Sequence, residues 1–287
     1  MGRSILLLIA IISLASCQTF TGFNYASQGR DWEGMCATGE YQSPINIDTN
    51  SGSCDNSLAL DIAFSTAGSF SVVDTGTTLK ADVALSQLYA TDIDGILTGY
   101  NAQYFVFRAP SEHQIEGNSY PLEMQIVHYI NSFSAQKGQT NKNYAIVSIL
   151  FELSTTDNPF IAALKLNALN TPLSNIDFNA LLGATYSQKV PYYAYQGSFT
   201  TPNCDENVNY YVFATPMPIS NSQLALFNNK YAGSSSFAGG NGNNRVIQDL
   251  NDRTVKKGGV ECEEQFVYFF SFLILYIFIN YFIFKLL

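Results

Sequence analysis

Two histidines, His113 and His128, are all that 287 residues provide, so a zinc centre of three imidazoles cannot form. Five cysteines, Cys17, Cys36, Cys54, Cys204 and Cys262, supply the remaining soft side chains. If Cys17 leaves with a leader peptide, four remain, an even number suited to disulfides in an oxidising compartment. Carboxylates are plentiful: 23 Asp and Glu against 14 Lys and Arg give a net charge of −9. No cluster of Lys and Arg interrupts that balance, so a phosphate-tracking surface and nucleic-acid binding are excluded.

The elements that would position these groups read mainly as strands. Alternation of period two recurs in Ser69–Leu79, Gln103–Arg108, Met124–Tyr129 and Tyr144–Leu153, with β-branched and aromatic residues enriched. Helical pattern is sparse. Asn158-Pro159 opens a helix expected over Asp157–Leu169, with Phe160, Ile161, Leu164 and Ala168 on one stripe, and Ser222–Asn229 is a shorter one. Gly233–Asn244, rich in Gly, Ser and Asn, reads as a surface loop. No repeat or linker divides the middle of the chain, so residues 18–258 form one domain.

Both ends are apolar. Residues 1–17 join a basic start to the run Ile5–Leu14 and the small residues Ala15-Ser16-Cys17, the pattern of a secretory signal peptide. Leu14-Ala15-Ser16-Cys17 also suits a lipoprotein cleavage site, a lesser reading. From Phe266 to Phe284 only Ser271 and Asn280 relieve an apolar and aromatic run long enough to cross a bilayer. Residues 266–287 read either as a transmembrane segment or as the removable tail of a lipid-anchor signal attached near Gly258-Gly259, with 259–265 as spacer. Loss of the tail after Gly259 would remove Cys262 and leave an odd thiol, which favours the transmembrane form. The absence of any Asn-X-Ser/Thr acceptor argues against N-glycosylation.

Gln42-Ser-Pro-Ile-Asn-Ile47, Ser111-Glu112-His113, Leu122-Glu-Met-Gln-Ile-Val-His128, Tyr195-Gln-Gly-Ser-Phe-Thr-Thr-Pro-Asn-Cys204 and Asn244–Arg253 follow one another along the chain. Together they resemble the α-class carbonic anhydrases over nearly the whole domain. The resemblance implies a mainly β (α+β) fold, a twisted and mostly antiparallel central sheet with a few short peripheral helices. It also implies a conical cleft whose floor holds a zinc ion on three histidines, and hydration of carbon dioxide.

The positions that carry those histidines in the family hold Val106, Arg108 and Gln125 here. Valine has no lone pair, a glutamine amide binds zinc poorly, and a guanidinium brings a fixed positive charge. The resemblance therefore implies no zinc and no catalytic residue, although Glu112 and Thr200 keep the family positions of the pair that orients the zinc-bound hydroxide. Thr77 stands at the proton-shuttle position and cannot titrate near neutrality. Val127, Val147, Phe199 and Tyr210 align with the pocket wall. Cys36 and Cys204 align with the disulfide of secreted members; Cys54 and Cys262 remain, their pairing open. His128 lies an odd number of residues from Gln125 and points away from the cleft, while His113 aligns with a structural position.

The expectation is a membrane-anchored, extracytoplasmic domain on the secretory route that binds a cell-surface protein or a small anion through Arg108, Gln125, Thr200 and Thr201. Against the anion site stands the reading, favoured over it, that Arg108 is spent on an internal ion pair with Glu112 and the pocket is closed. An active enzyme with an atypical metal site of Asp, Glu or Cys, and a purely structural coat protein, are the alternatives.

Overall fold

The computed structural model describes residues 22–260, apart from 51, 65–67, 84–85, 133, 135–141, 183–189, 232–237 and 239, together with Cys262. The expected signal peptide and the segment 266–287 lie outside the described residues; among those described, no helix is long and apolar enough to cross a membrane.

A twelve-stranded sheet forms the body. Its main path runs Ser53–Cys54, Lys256–Gly258, Tyr192–Gly197, Val208–Phe213, Tyr144–Ser154, Leu122–Ile130, Leu97–Arg108, Leu79–Asp82 and Val73–Asp74. Most pairs are antiparallel, as expected, but Tyr144–Ser154 pairs in parallel with both Val208–Phe213 and Met217–Ser220. The sheet is therefore mixed. The expected strand over Ser69–Leu79 is instead two short strands joined by a Thr75–Thr78 turn, closed by the Thr75 N–H on the Thr78 carbonyl.

Apolar packing covers both faces. One face carries the larger core, with Phe105, Phe107, Met124, Ile126, Val147 and Ile149 under Phe160 and Phe178. The other carries a smaller cluster that includes Ile47, Val127, Ile146, Tyr195, Val208 and Tyr210. Burial on both sides is why Val208–Phe213 is buried at every position and shows no alternation.

Helices are short and peripheral. Pro159 occupies the first turn after Asn158, whose Oδ1 accepts from the Phe160 and Ile161 N–H groups, but the helix ends at Ala163 rather than near Leu169. The chain turns left-handed at Lys165, with φ 48°, and that stops it. Asn221–Asn228 is capped by Ser220 and Gln223 in a capping box, close to the expected span. Ala238 and Asn243, in the expected surface loop, are fully buried. Gly242 explains this approach: at φ +103°, a Cβ there would stand 2.1 Å from the Ala109 carbonyl oxygen. It lets the Asn243 amide accept from the Ala109 N–H and donate to the Phe107 and Thr77 carbonyls, fixing the end of the strand that carries Arg108.

Disulfides join Cys36 to Cys204 and Cys54 to Cys262. The first is the expected pair, and the second resolves the pairing left open.

Candidate functional site

Val106 and Arg108 project from the same face of Leu97–Arg108 because they are two residues apart, and Gln125 is the direct cross-strand partner of Val106 on Leu122–Ile130. Pleat and register thus bring the three expected positions together at the floor of a cleft of about 250 Å³. Val127, Phe199, Thr200 and Thr201 line it with them, and Thr75, Thr77, Lys80 and Tyr104 form part of its wall.

Two wall residues are placed differently from expectation. Val147 belongs to the larger core on the opposite face, and its neighbour Ile146 lines the cleft. Alternation along a strand allows only one of two adjacent residues on a given face. Tyr210 is fully buried behind the floor, stacked on Tyr195 at 5.0 Å and donating its hydroxyl to the Ser198 carbonyl at 3.0 Å, so it supports the cleft without lining it.

Arg108 is 4% exposed. Its Nη1 donates to the Tyr25 hydroxyl at 2.8 Å, and its Nε lies 3.4 Å from Glu112 Oε2. Burial works against the guanidinium charge, but Tyr25, Glu112 and Glu123 outweigh it and hold the group above the usual arginine range. Tyr25 was not expected at the site: it lies 83 residues away, in an N-terminal segment without periodicity.

Gln125 is fully committed as a donor, its Nε2 giving hydrogen bonds to Glu112 Oε2 at 2.8 Å and Glu123 Oε1 at 2.9 Å. Glu112 Oε1 accepts the Arg245 N–H at 3.0 Å. Both its oxygens are so used, and among the described residues no hydrogen bond joins the expected Thr200–Glu112 pair.

Behind the floor stands a dense polar layer. Glu123 accepts from the backbone N–H groups of Glu112 and His113, from Ser148 and Gln125, and pairs with His113 Nδ1 at 2.8 Å. Burial pushes the Glu123 carboxyl up, yet His113 and these donors bring it down to about 2. His113 Nε2 continues through the Tyr195 hydroxyl at 2.6 Å to Ser43. The histidine is structural, as expected. His128 is buried between Ile126 and Ile130, residues of the larger core, and burial lowers its pKa to about 4, keeping it neutral. Among the described residues, no three His, Cys, Asp or Glu side chains converge as metal ligands.

The sheet, the cleft on one of its faces and the order of the motifs are those of a carbonic anhydrase. The family model for eukaryotic-type carbonic anhydrase matches residues 27–258, and the chain belongs to that family. It is 29% identical over 266 residues to a carbonic anhydrase of Klebsiella pneumoniae, covering 89% of this chain and 98% of that protein. It is likewise 29% identical over 273 residues to a carbonic anhydrase of Dunaliella salina, covering 86% of this chain but spanning only 45% of that longer protein. The solved carbonic anhydrase Cah3 from Chlamydomonas reinhardtii, in complex with acetazolamide, superposes with a TM-score of 0.63 at 28% identity, over 80% of this chain and 95% of that one.

Proposed function

We propose that this chain is a carbonic-anhydrase-family domain that holds no zinc, does not hydrate carbon dioxide and serves as a binding module on the outer side of a membrane. The observation that carries the reading is the Arg108 guanidinium at the cleft floor, flanked by hydrocarbon at Val106 and by a Gln125 amide already committed to two carboxylates. This donor set does not fit a zinc ion. A dication about 4 Å from the guanidinium would be repelled by roughly 8 kcal/mol at an effective dielectric near 20, and none of the three side chains at the ligand positions offers a lone pair that compensates.

The two disulfides support an oxidising compartment. The Cys54–Cys262 bond favours a retained transmembrane segment over tail removal near Gly259, because that cleavage would discard Cys262. The zinc content of the purified full-length protein, measured by elemental analysis beside stopped-flow carbon dioxide hydration, tests the reading. The expected result is less than a tenth of a zinc per chain and no catalysis. One firmly held zinc with measurable hydration would overturn it.

A further inference from the structure

The geometry points to a site for a small hydroxylated monocarboxylate in the cleft, its carboxylate on Arg108 and its hydroxyls on Thr200 and Thr201. This rests on the zinc-free reading and says what the emptied chemistry has become. The guanidinium is almost wholly buried, lines the cleft, and has its Nη2 in no hydrogen bond among the described residues. A buried cation with a donor left over is a place for an acceptor to arrive. The Thr200 and Thr201 hydroxyls line the same space and likewise have no protein hydrogen bond among those described, whereas Thr78, also in the lining, spends its hydroxyl on the Phe107 carbonyl.

Charge selects a monoanion. Glu112 and Glu123 stand behind Arg108 and offset part of its field, and Lys80, the other cation on the wall, is paired with Asp82 at 2.8 Å. A second negative charge on the ligand would find no free cation beside it. The chain's net charge of −9 further repels polyanions. Size selects a compact body: about 250 Å³ is the share of roughly eight waters. Val106, Val127, Ile146 and Phe199 give the remaining surface apolar contact for its carbon skeleton.

Glycerate is the probe. Ligand-observed NMR titration of glycerate into the purified full-length protein in detergent, against propionate, tartrate and glycerol at matched ionic strength, tests the site. Glycerate should bind at least threefold more tightly than propionate and tenfold more tightly than tartrate, with no saturable signal from glycerol. Arg108→Lys, which keeps the charge but loses the planar fork, should weaken glycerate at least tenfold. The near-isosteric Thr200→Val and Thr201→Val changes, which spare the buried network, should each weaken it about threefold while leaving propionate unchanged.

Equal binding of glycerol and glycerate, or glycerate affinity unchanged in all three variants, would overturn the site. Zinc is read on the same sample. A metal-free protein that ignores glycerate sinks this inference and leaves the zinc-free reading standing. A zinc-bearing protein whose glycerate binding vanishes on chelation sinks both.

Discussion

Two buried arginines share one carboxylate and lead different lives. Arg245 is 1% exposed and gives its Nη atoms to Gln42 Oε1 at 2.8 Å, the Ser43 carbonyl at 2.7 Å and the Cys36 carbonyl at 2.7 Å, with the Trp32 ring 5.7 Å away. Among the described residues Arg108 makes one such bond, to Tyr25. Among the described residues each leaves its Nε without a hydrogen bond, so the difference lies in the Nη atoms. Glu112 connects them, taking the backbone N–H of Arg245 on one oxygen and facing Arg108 with the other. Arg245 closes a structural seam between the N-terminal segment and the rest of the domain. Arg108 is held in place with capacity to spare, and only a group with spare capacity can recognise something.

Breaking the better-satisfied arginine should therefore hurt the fold most. Arg245→Met takes the charged donor from the buried Ser43 and Cys36 carbonyls and from Gln42 Oε1, which keeps only the Ser198 hydroxyl at 3.4 Å, and urea unfolding should show a loss of about 3–5 kcal/mol. Glu123 lies next in size and reports on the layer behind the floor. Its carboxyl falls from an ordinary value of 4.5 to about 2 in the folded protein, so its contribution is complete above about pH 5 and is lost as pH falls toward 2. That contribution is on the order of 3 kcal/mol. Glu123→Gln should flatten the dependence of stability on pH across this window; an unchanged slope would assign it to other groups. Arg108→Met should cost least, about 1–2 kcal/mol, because Glu112 keeps the Arg245 N–H and the Gln125 amide as donors. A loss as large as that of Arg245→Met would erase the distinction between the two arginines.

Much of this was legible in the residues. The strand pair bearing Val106, Arg108 and Gln125 announced itself by alternation and by its motifs, and the pleat did the rest. Tyr144–Leu153 announces a strand but not its faces: Ala145-Ile-Val147 is apolar without a break, so the residues alone do not tell Ile146, which lines the cleft, from Val147, which faces the larger core. Tyr25 had no local signal at all, since its role exists only once the N-terminal segment packs over the sheet. The helix over Asp157–Leu169 was right at its cap and wrong in length, because a left-handed residue at Lys165 follows no apolar stripe.

The Cys54–Cys262 bond also decides how the molecule would bear load. Tension on the chain beyond residue 262 reaches Ser53–Cys54 through a covalent link before it strains the hydrogen bonds of Lys256–Gly258, which lies between that strand and Tyr192–Gly197. Lys256–Gly258 is thereby shielded from peeling, and pulling from the C-terminal side would be met by two adjoining strands at once rather than by one unzipping.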